Sequence, residues 1–474
     1  MVLAHNQLLR DFCSAIYEEE AALFVGAGLS LEAGFVNWKE LLRDLAVEIG
    51  LNVDQERDLV AVAQYHLNQH GFDRSRLNQV IKRAFDSTGE IPLNHQIICR
   101  LPINTIWTTN YDTLLEDAYK QARQVADVKS RDADLAIPKP NRKAVIYKMH
   151  GDIARPDEVI ICKDDYEQYE KRYPLFQKRL TSDLLSKTFL FLGFSFTDPH
   201  LEYILGHLRA LLGGNKRPHF AVLRNVQRSH FPNGNKGQKE FEYEWNKQEL
   251  LIEDLRRYSI HTTLVENYQE VTDILLGIER RCQQRNIFVS GSADEFGSFG
   301  KPQMHDLCQR LGTRLMVEGY KLITGFGMNI GDAIIMGALA ELLENNPTAI
   351  DKRLSLKPLP KNVSNRNELT LQYREEMITK CGIIIFIAGN SGGYKEARGV
   401  LEEFEIARAH GKIIIPIGAT GFAAQHIWRT VMEDFNEFYA ISDVIKHLQI
   451  IGDEKQPTKK IIDAVFAIIK TVRK

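Results

Sequence analysis

Six cysteines are spread over 474 residues, at Cys13, Cys99, Cys162, Cys282, Cys308 and Cys381, with no CxxC pair and no Cys/His cluster. That scatter argues against a zinc ribbon or a disulfide framework and fits reduced, buried thiols in a cytosolic protein. Excess charge is also lacking. Lys plus Arg number 60 against 62 Asp plus Glu, a formal net charge of −2, so no global basic field draws the chain to nucleic acid. No apolar run approaches the roughly 20 residues that span a bilayer, and no membrane association is expected. The first residues, MVLAHNQLLRDF, lack the basic and then apolar order of a signal peptide, so a cytoplasmic location is expected. A Pro- or Ser-rich linker is missing as well, although a chain of this length needs two or three cores.

What is present is a repeated alternation of apolar strands and amphipathic helices. Residues 6–20 place Leu8, Leu9, Phe12, Ile16 and Tyr17 on one helical stripe. AALFVGAG follows as a buried strand entering a glycine turn, and helical periodicity then runs from Trp38 to about Ala84. Further buried strands are expected at TIWTTN (105–110), AVIYKMHG (144–151), TFLFLGFS (188–195) and HFAVLRN (219–225). Residues 226–248 are polar and read as a surface excursion, and 266–283 as a helix that closes the first domain. The pattern restarts near Asn286. Strands are expected at 287–293, 320–327, 383–393 and 412–418, with helices at 303–318, 330–344 and near 397–410. The expected fold class is α/β: two Rossmann-like, doubly wound parallel-sheet domains, residues 1–283 and 284–474, divided near 280–286.

Chemistry-bearing residues gather at the ends of the expected strands, where open parallel sheets bind ligands. VGAGLS places Gly26, Ala27, Gly28 and Ser30 at a strand-to-helix turn, where glycines admit a phosphate and the next helix offers free N–H groups. Such a turn also serves as a plain tight connection. TTNYD places Thr109, Asn110 and Asp112, and KMHGD places His150, Gly151 and Asp152, at two more strand ends. Alone, Asn110 reads as a turn or cap residue and His150 as a structural histidine more often than a catalyst. In the second half, SGS (Ser290, Gly291), TGFG (Gly325, Gly327) and GNSGGYKEARGVLEE (Gly393, Lys395, Glu403) repeat the device.

Together GAGLS, TTNYD and MHGD, in that order, resemble the sirtuin family over roughly residues 10–280, and GFSFTDPH resembles its later Gly-x-Ser turn through Gly193 and Ser195. The resemblance implies an NAD pocket with Asn110 and His150 beside the nicotinamide ribose. Those residue types suit N-glycosidic cleavage. An amide can donate and accept without adding charge, and a histidine can take a proton from a ribose hydroxyl or water. Asp112 is expected to orient the Asn110 loop or a ribose hydroxyl. The chain departs from deacetylase sirtuins in reading LEAGFVNWKELL after GAGLS and in lacking their zinc ribbon, so no acyl-lysine cleft is evident and water is the expected acceptor.

Residues 286–420 resemble the lysine decarboxylase-like (LOG) family and its SLOG sensor relatives, through SGS, GFG with Gly331 and Gly337, Arg374 and GG…GVLEE. This stretch replaces the Pro-Gly-Gly of LOG enzymes by Asn390, Ser391, Gly392 and Gly393 and adds YKEAR before Gly399, so a binding module is expected rather than a phosphoribohydrolase. Arg374 and Lys395 are expected at phosphates and Glu403 at a ribose hydroxyl or base amine, with Arg374 paired to Glu375 or Glu376 as the plainer alternative. A sirtuin-like half followed by a SLOG half resembles the effectors of the Thoeris anti-phage defence. That resemblance implies hydrolysis of NAD+ as substrate without a metal, a cyclic ADP-ribose isomer from a TIR-domain partner as activator, and a homo-oligomer, commonly a tetramer able to stack into filaments. A sirtuin-type deacylase and a non-catalytic nucleotide-binding regulator are the alternatives.

Overall fold

The computed structural model describes residues 2–35, 38–56, 58–85, 90–196, 198–213, 217–359 and 366–473. Val36 and Asn37 of LEAGFVNWKELL and Thr197 of GFSFTDPH lie outside them. The chain divides into two compact units, Met1–Glu279 and Arg280–Lys474.

The first unit holds a parallel sheet whose seven strands are β1 (Ala21–Val25), β2 (Thr105–Thr108), β3 (Ala126–Lys129), β4 (Ala144–Lys148), β5 (Thr188–Leu192), β6 (His219–Arg224) and β7 (Ile260–Val265). Their order is β3-β4-β2-β1-β5-β6-β7. The order reverses between β1 and β5, so a crevice opens at their carboxyl ends. Every residue of β1, β2 and β5 is buried, as expected of strands covered on both faces. The aromatic ladder Phe24, Phe191 and Phe194 fills one side of the crossing. The helical stretch from Trp38 resolves into Trp38–Glu48, Leu59–Gln69 and Ser75–Phe85, which share a core with Tyr111 and Val159.

The second unit holds β8 (Asn286–Ser292), β9 (Lys321–Thr324), β10 (Leu354–Leu356), β11 (Ile383–Ala388) and β12 (Ile413–Ile417), all parallel, in the order β10-β9-β8-β11-β12. Here the order reverses between β8 and β11. Gly312 and Gly337 let the helices Lys301–Val317 and Gly331–Asn345 touch backbone to backbone, because a Cβ at either would overlap the other helix.

Two readings need correction. The polar segment 226–248 is no irregular excursion, because most of it belongs to the helix Asn235–Arg257. Only Gly237, Ile252 and Leu255 of that helix are buried, so its apolar stripe is too sparse to announce a helix by periodicity. The strands β3, β7 and β10 went unforeseen. Each sits at a sheet edge, where burial alternates or fails, and none forms a continuous apolar run.

Candidate active site and nucleotide crevice

The GAGLS turn leaves β1 and packs directly on the turn that leaves β5. Gly26 N donates to Leu192 O at 2.9 Å and Gly28 N to Gly193 O at 2.9 Å. A Cβ on Gly28 would stand 2.9 Å from Gly193 Cα, and Gly193 itself has φ +61°. Glycine at these positions is therefore required by the contact between two turns. The expected helix with free N–H groups does not follow. Two short 3-10 turns, Ala27–Leu29 and Leu31–Ala33, stand in its place, and the N–H groups of Gly26, Gly28, Leu29 and Ser30 are already spent on backbone carbonyls.

Asn110 is buried above this turn. Its amide donates to Gly26 O at 3.2 Å and to Ser30 Oγ at 3.0 Å, and Ser30 Oγ donates to Asp112 Oδ2 at 2.8 Å. Asp112 Oδ1 accepts from Leu114 N at 3.1 Å, tying the network to the start of the helix Leu114–Gln121. Ser30 thus links Asp112 to the Asn110 side chain. Asn110 Oδ1 is buried and has no hydrogen-bond partner among the described residues, which leaves one acceptor open. Thr109 is half-buried and Ser195 exposed. His95, wholly buried nearby, is held neutral: burial drives its pKa down to about 4, against a weaker pull upward from Asp112.

β2 and β4 are neighbours, with Thr108 opposite Lys148. Asn110 and His150 each lie two residues past that pair, so the two motifs emerge side by side at the same end of the sheet. His150 Nε2 lies 3.0 Å from Asp198 Oδ2, with the oxygen off the N–H axis, and both groups are buried. Asp198 is the residue that motif reading overlooked. Its Oδ1 caps the helix Pro199–Leu212 by accepting from Leu201 N at 2.9 Å, and Tyr166 Oη donates to Oδ2 at 3.3 Å. Burial alone would raise this carboxyl, but the adjacent His150 and the Leu201 N–H outweigh it and bring the pKa down to about 2. The carboxylate is charged at neutral pH. Its only signal in the sequence was its place in GFSFTDPH, just before a helix-starting proline.

Lys148 was likewise overlooked. Its ammonium is fully buried and donates to Tyr111 O at 3.1 Å and Asp112 O at 2.6 Å, and pairs with Glu116 at 3.0 Å and Asp152 at 2.7 Å. Burial works to remove the proton, yet the two carboxylates prevail and hold its pKa above the usual lysine range. One cation therefore pins the Asn110 loop and the His150 loop together.

In the second unit, Ser290, Gly291, Gly327, Arg374 and Glu403 gather at the end of β8. Gly327 packs on the Gly291 carbonyl, and Ser290 Oγ donates to Glu403 Oε2 at 2.6 Å. Arg374 does not pair with Glu375 or Glu376. It donates to Glu403 Oε1 at 3.1 Å and to Glu402 Oε2 at 2.5 Å. Burial raises the pKa of Glu403 despite those donors. Gly325 is half-buried just beyond β9. Gly393 N donates to Asp294 Oδ2 at 2.8 Å, and Lys395 is exposed on the same loop. Asn390, noted only as a departure from Pro-Gly-Gly, is the buried anchor here. It accepts from Asp294 N and Glu295 N and donates to Glu295 O.

Two trios of side chains among the described residues are close enough to share a metal ion: Glu48, His66 and His70, and His150, Asp198 and His200. No described helix is long and apolar enough to cross a membrane.

Comparison with known proteins finds two domain families along the chain. The SIR2-like domain family matches residues 104–251, and the Sir2- and TIR-associating SLOG family matches residues 270–472. The chain is 39% identical over 467 residues to the NAD(+) hydrolase ThsA of Bacillus cereus (strain MSX-D12), covering 98% of this chain and 97% of that one. It is 40% identical to the NAD(+) hydrolase ThsA of Acinetobacter baumannii (strain 532279), covering 96% of each. The defense-associated sirtuin 2 of Bacillus subtilis is 23% identical over 43% of this chain and 21% of its own length. With such identity across almost the whole of both chains, and with a SIR2-like half followed by a SLOG half, this chain belongs to the ThsA family.

Proposed function

We propose that residues 1–283 hydrolyse NAD+ to nicotinamide and ADP-ribose, and that residues 284–474 bind a cyclic ADP-ribose isomer that turns the hydrolase on. The observation that carries the catalytic reading is the register of β2 and β4, which brings Asn110 and His150 out side by side beside the Ser30–Asp112 network. The names of the full-length relatives support the reaction, and the Sir2- and TIR-associating family description supports a TIR-domain partner as the source of the signal.

In the reaction the bond from the ribose C1′ to the nicotinamide nitrogen breaks, and its electron pair goes to the already cationic ring, which leaves neutral. Water forms the new bond to C1′ and gives up a proton. Asn110 Oδ1 is the free acceptor for a ribose hydroxyl or for the water, and holds it in line. His150 accepts the proton, and Asp198, charged and 3.0 Å from Nε2, stabilises the imidazolium that forms. Asp198 is thus a positioning residue. Nicotinamide needs no Lewis acid to leave, so NAD+ is the substrate and no metal cofactor enters the step. Gly26, Ala27, Gly28, Thr109, Gly193 and Ser195 form the rim of the pocket, with their glycines placing the turns.

Ser290, Gly291, Gly325, Gly327, Arg374, Gly393, Lys395 and Glu403 receive the activator. A phosphate arriving at Arg374 competes with Glu402 and Glu403 for the guanidinium, which gives the ligand a differential contact to spend on a conformational change. Moving a population from 1:99 to 99:1 takes about 5.5 kcal/mol, within reach of a homo-oligomer carrying one sensor per protomer. The working chain is a cytoplasmic tetramer that stacks into filaments and depletes NAD in phage-infected bacteria. The test is NAD+ turnover by wild type, Asn110→Ala and His150→Ala with the activator present. Each variant should lose about 10²-fold or more. Near-wild-type turnover in both, or a requirement for an acetylated peptide, would overturn the reading.

A further inference from the structure

The surroundings of His150 hold more lone pairs than hydrolysis uses. One donor atom from each of His150, Asp198 and His200 lies within 4.8 Å of the other two. His200 belongs to the first turn of the helix Pro199–Leu212, and its Nε2 is 3.1 Å from the Tyr166 carbonyl. A carbonyl only accepts, so Nε2 carries the hydrogen and Nδ1 keeps the lone pair. That Nδ1 is buried and has no hydrogen-bond partner among the described residues. Metal-bound histidines are held this way, one nitrogen donated to a carbonyl and the other turned to the ion. His150 Nε2 is also buried with no aligned hydrogen bond, 3.0 Å from Asp198 Oδ2. Asp198 Oδ1 is fixed by its helix cap, and Tyr166 Oη supports Oδ2 from behind.

We propose that His150, Asp198 and His200 form a site for a divalent transition cation of the zinc class, and that occupancy silences the hydrolase by taking the lone pair of His150. Two imidazole nitrogens and one carboxylate oxygen, with water in the fourth position, suit a borderline cation at about 2.0–2.2 Å from each ligand. Ligand atoms of a tetrahedral site lie roughly 3.3 Å apart at such bond lengths, and the three donor atoms here stand within 4.8 Å of one another. The other trio is a poorer host. Glu48 and His70 are exposed to water, and Glu48 is already held by Arg76 at 2.6 Å.

The inhibitory half of this proposal rests on His150 as the catalytic histidine, whereas the metal site itself does not. The test uses the full-length chain. Cobalt(II) titration should give visible d–d absorption saturating at one equivalent, and zinc should inhibit NAD+ cleavage with recovery on adding chelator. His200→Phe keeps the ring that packs on Tyr166 and Tyr169 and removes the nitrogen donor. It should cleave NAD+ as wild type does in chelator, lose the cobalt band and need at least about tenfold more zinc for half-inhibition. His200→Gln serves the same comparison should the phenylalanine variant not fold. Absence of a cobalt band in wild type, or equal zinc sensitivity in the His200 variant, overturns the site. Cobalt binding by a protein that never cleaves NAD+ would instead leave the site standing and overturn the hydrolase reading.

Discussion

Replacing Lys148 by methionine tests how the loops bearing Asn110 and His150 are held. The lysine ammonium is buried among two backbone carbonyls and two carboxylates, at 2.6 to 3.1 Å. Methionine fills the same space but leaves Glu116 and Asp152 as partly buried anions without their cation, and the carbonyls of Tyr111 and Asp112 without a donor. Removing one partner of a buried ion pair costs about 3–5 kcal/mol, and each orphaned acceptor about 1–3 kcal/mol, terms that overlap because the same carboxylates relax by taking up protons or water. The first unit of Lys148→Met should therefore be less stable by about 4 kcal/mol. At roughly 2–4 °C per kcal/mol for a unit of this size, its melting transition should fall by roughly 8–16 °C. Differential scanning calorimetry reads this directly. NAD+ cleavage measured well below the new transition should also fall, since the loops bearing Asn110 and His150 lose their common anchor. Adding Glu116→Gln and Asp152→Asn to Lys148→Met should recover more than half of the lost stability, because the uncompensated charges are then gone. A single variant melting within about 1 °C of wild type would refute the reasoning.

Acid sensitivity should come from buried neutral histidines. Burial lowers the pKa of His95 to about 4 and of His219 to about 3 from 6.5, so between these values the unfolded chain binds more protons than the native one. Stability is then complete above pH 6.5 and falls as pH drops toward 4, by about 1.4 kcal/mol per pH unit for each histidine. Urea unfolding at several pH values should show that slope, and His219→Gln should flatten it; an unchanged slope would remove His219 from the account. Arg374→Ala should raise the cyclic nucleotide concentration for half-activation by roughly 10- to 150-fold, the equivalent of about 1.5–3 kcal/mol for a lost charge-assisted hydrogen bond, with overlaid dose–response curves as the contrary result.

The interior of both sheets was legible from composition along the chain. β1, β2, β5 and β11 are buried on both faces, so apolar residues dominate them and threonine at a strand end is their one polar type. The glycine turns, Asn110 and His150 were legible for a related reason, since they sit at the ends of inner strands. What tertiary structure alone decided lies across the sheet or at its margin. The edge strands lose the run that marks an inner strand: β3 buries the paired Asp127 and Lys129, β7 carries His261, Thr262 and Thr263 in its middle, and β10 has no buried residue. Asp198 is 48 residues from His150, and Arg374 is 28 and 29 residues from its partners Glu402 and Glu403. An isolated acid in a sequence carries no sign of its partner. Only the crossover that returns the chain to β5, beside β1, brings Asp198 to His150 and makes a histidine that was ambiguous alone into one with a charged partner at 3.0 Å.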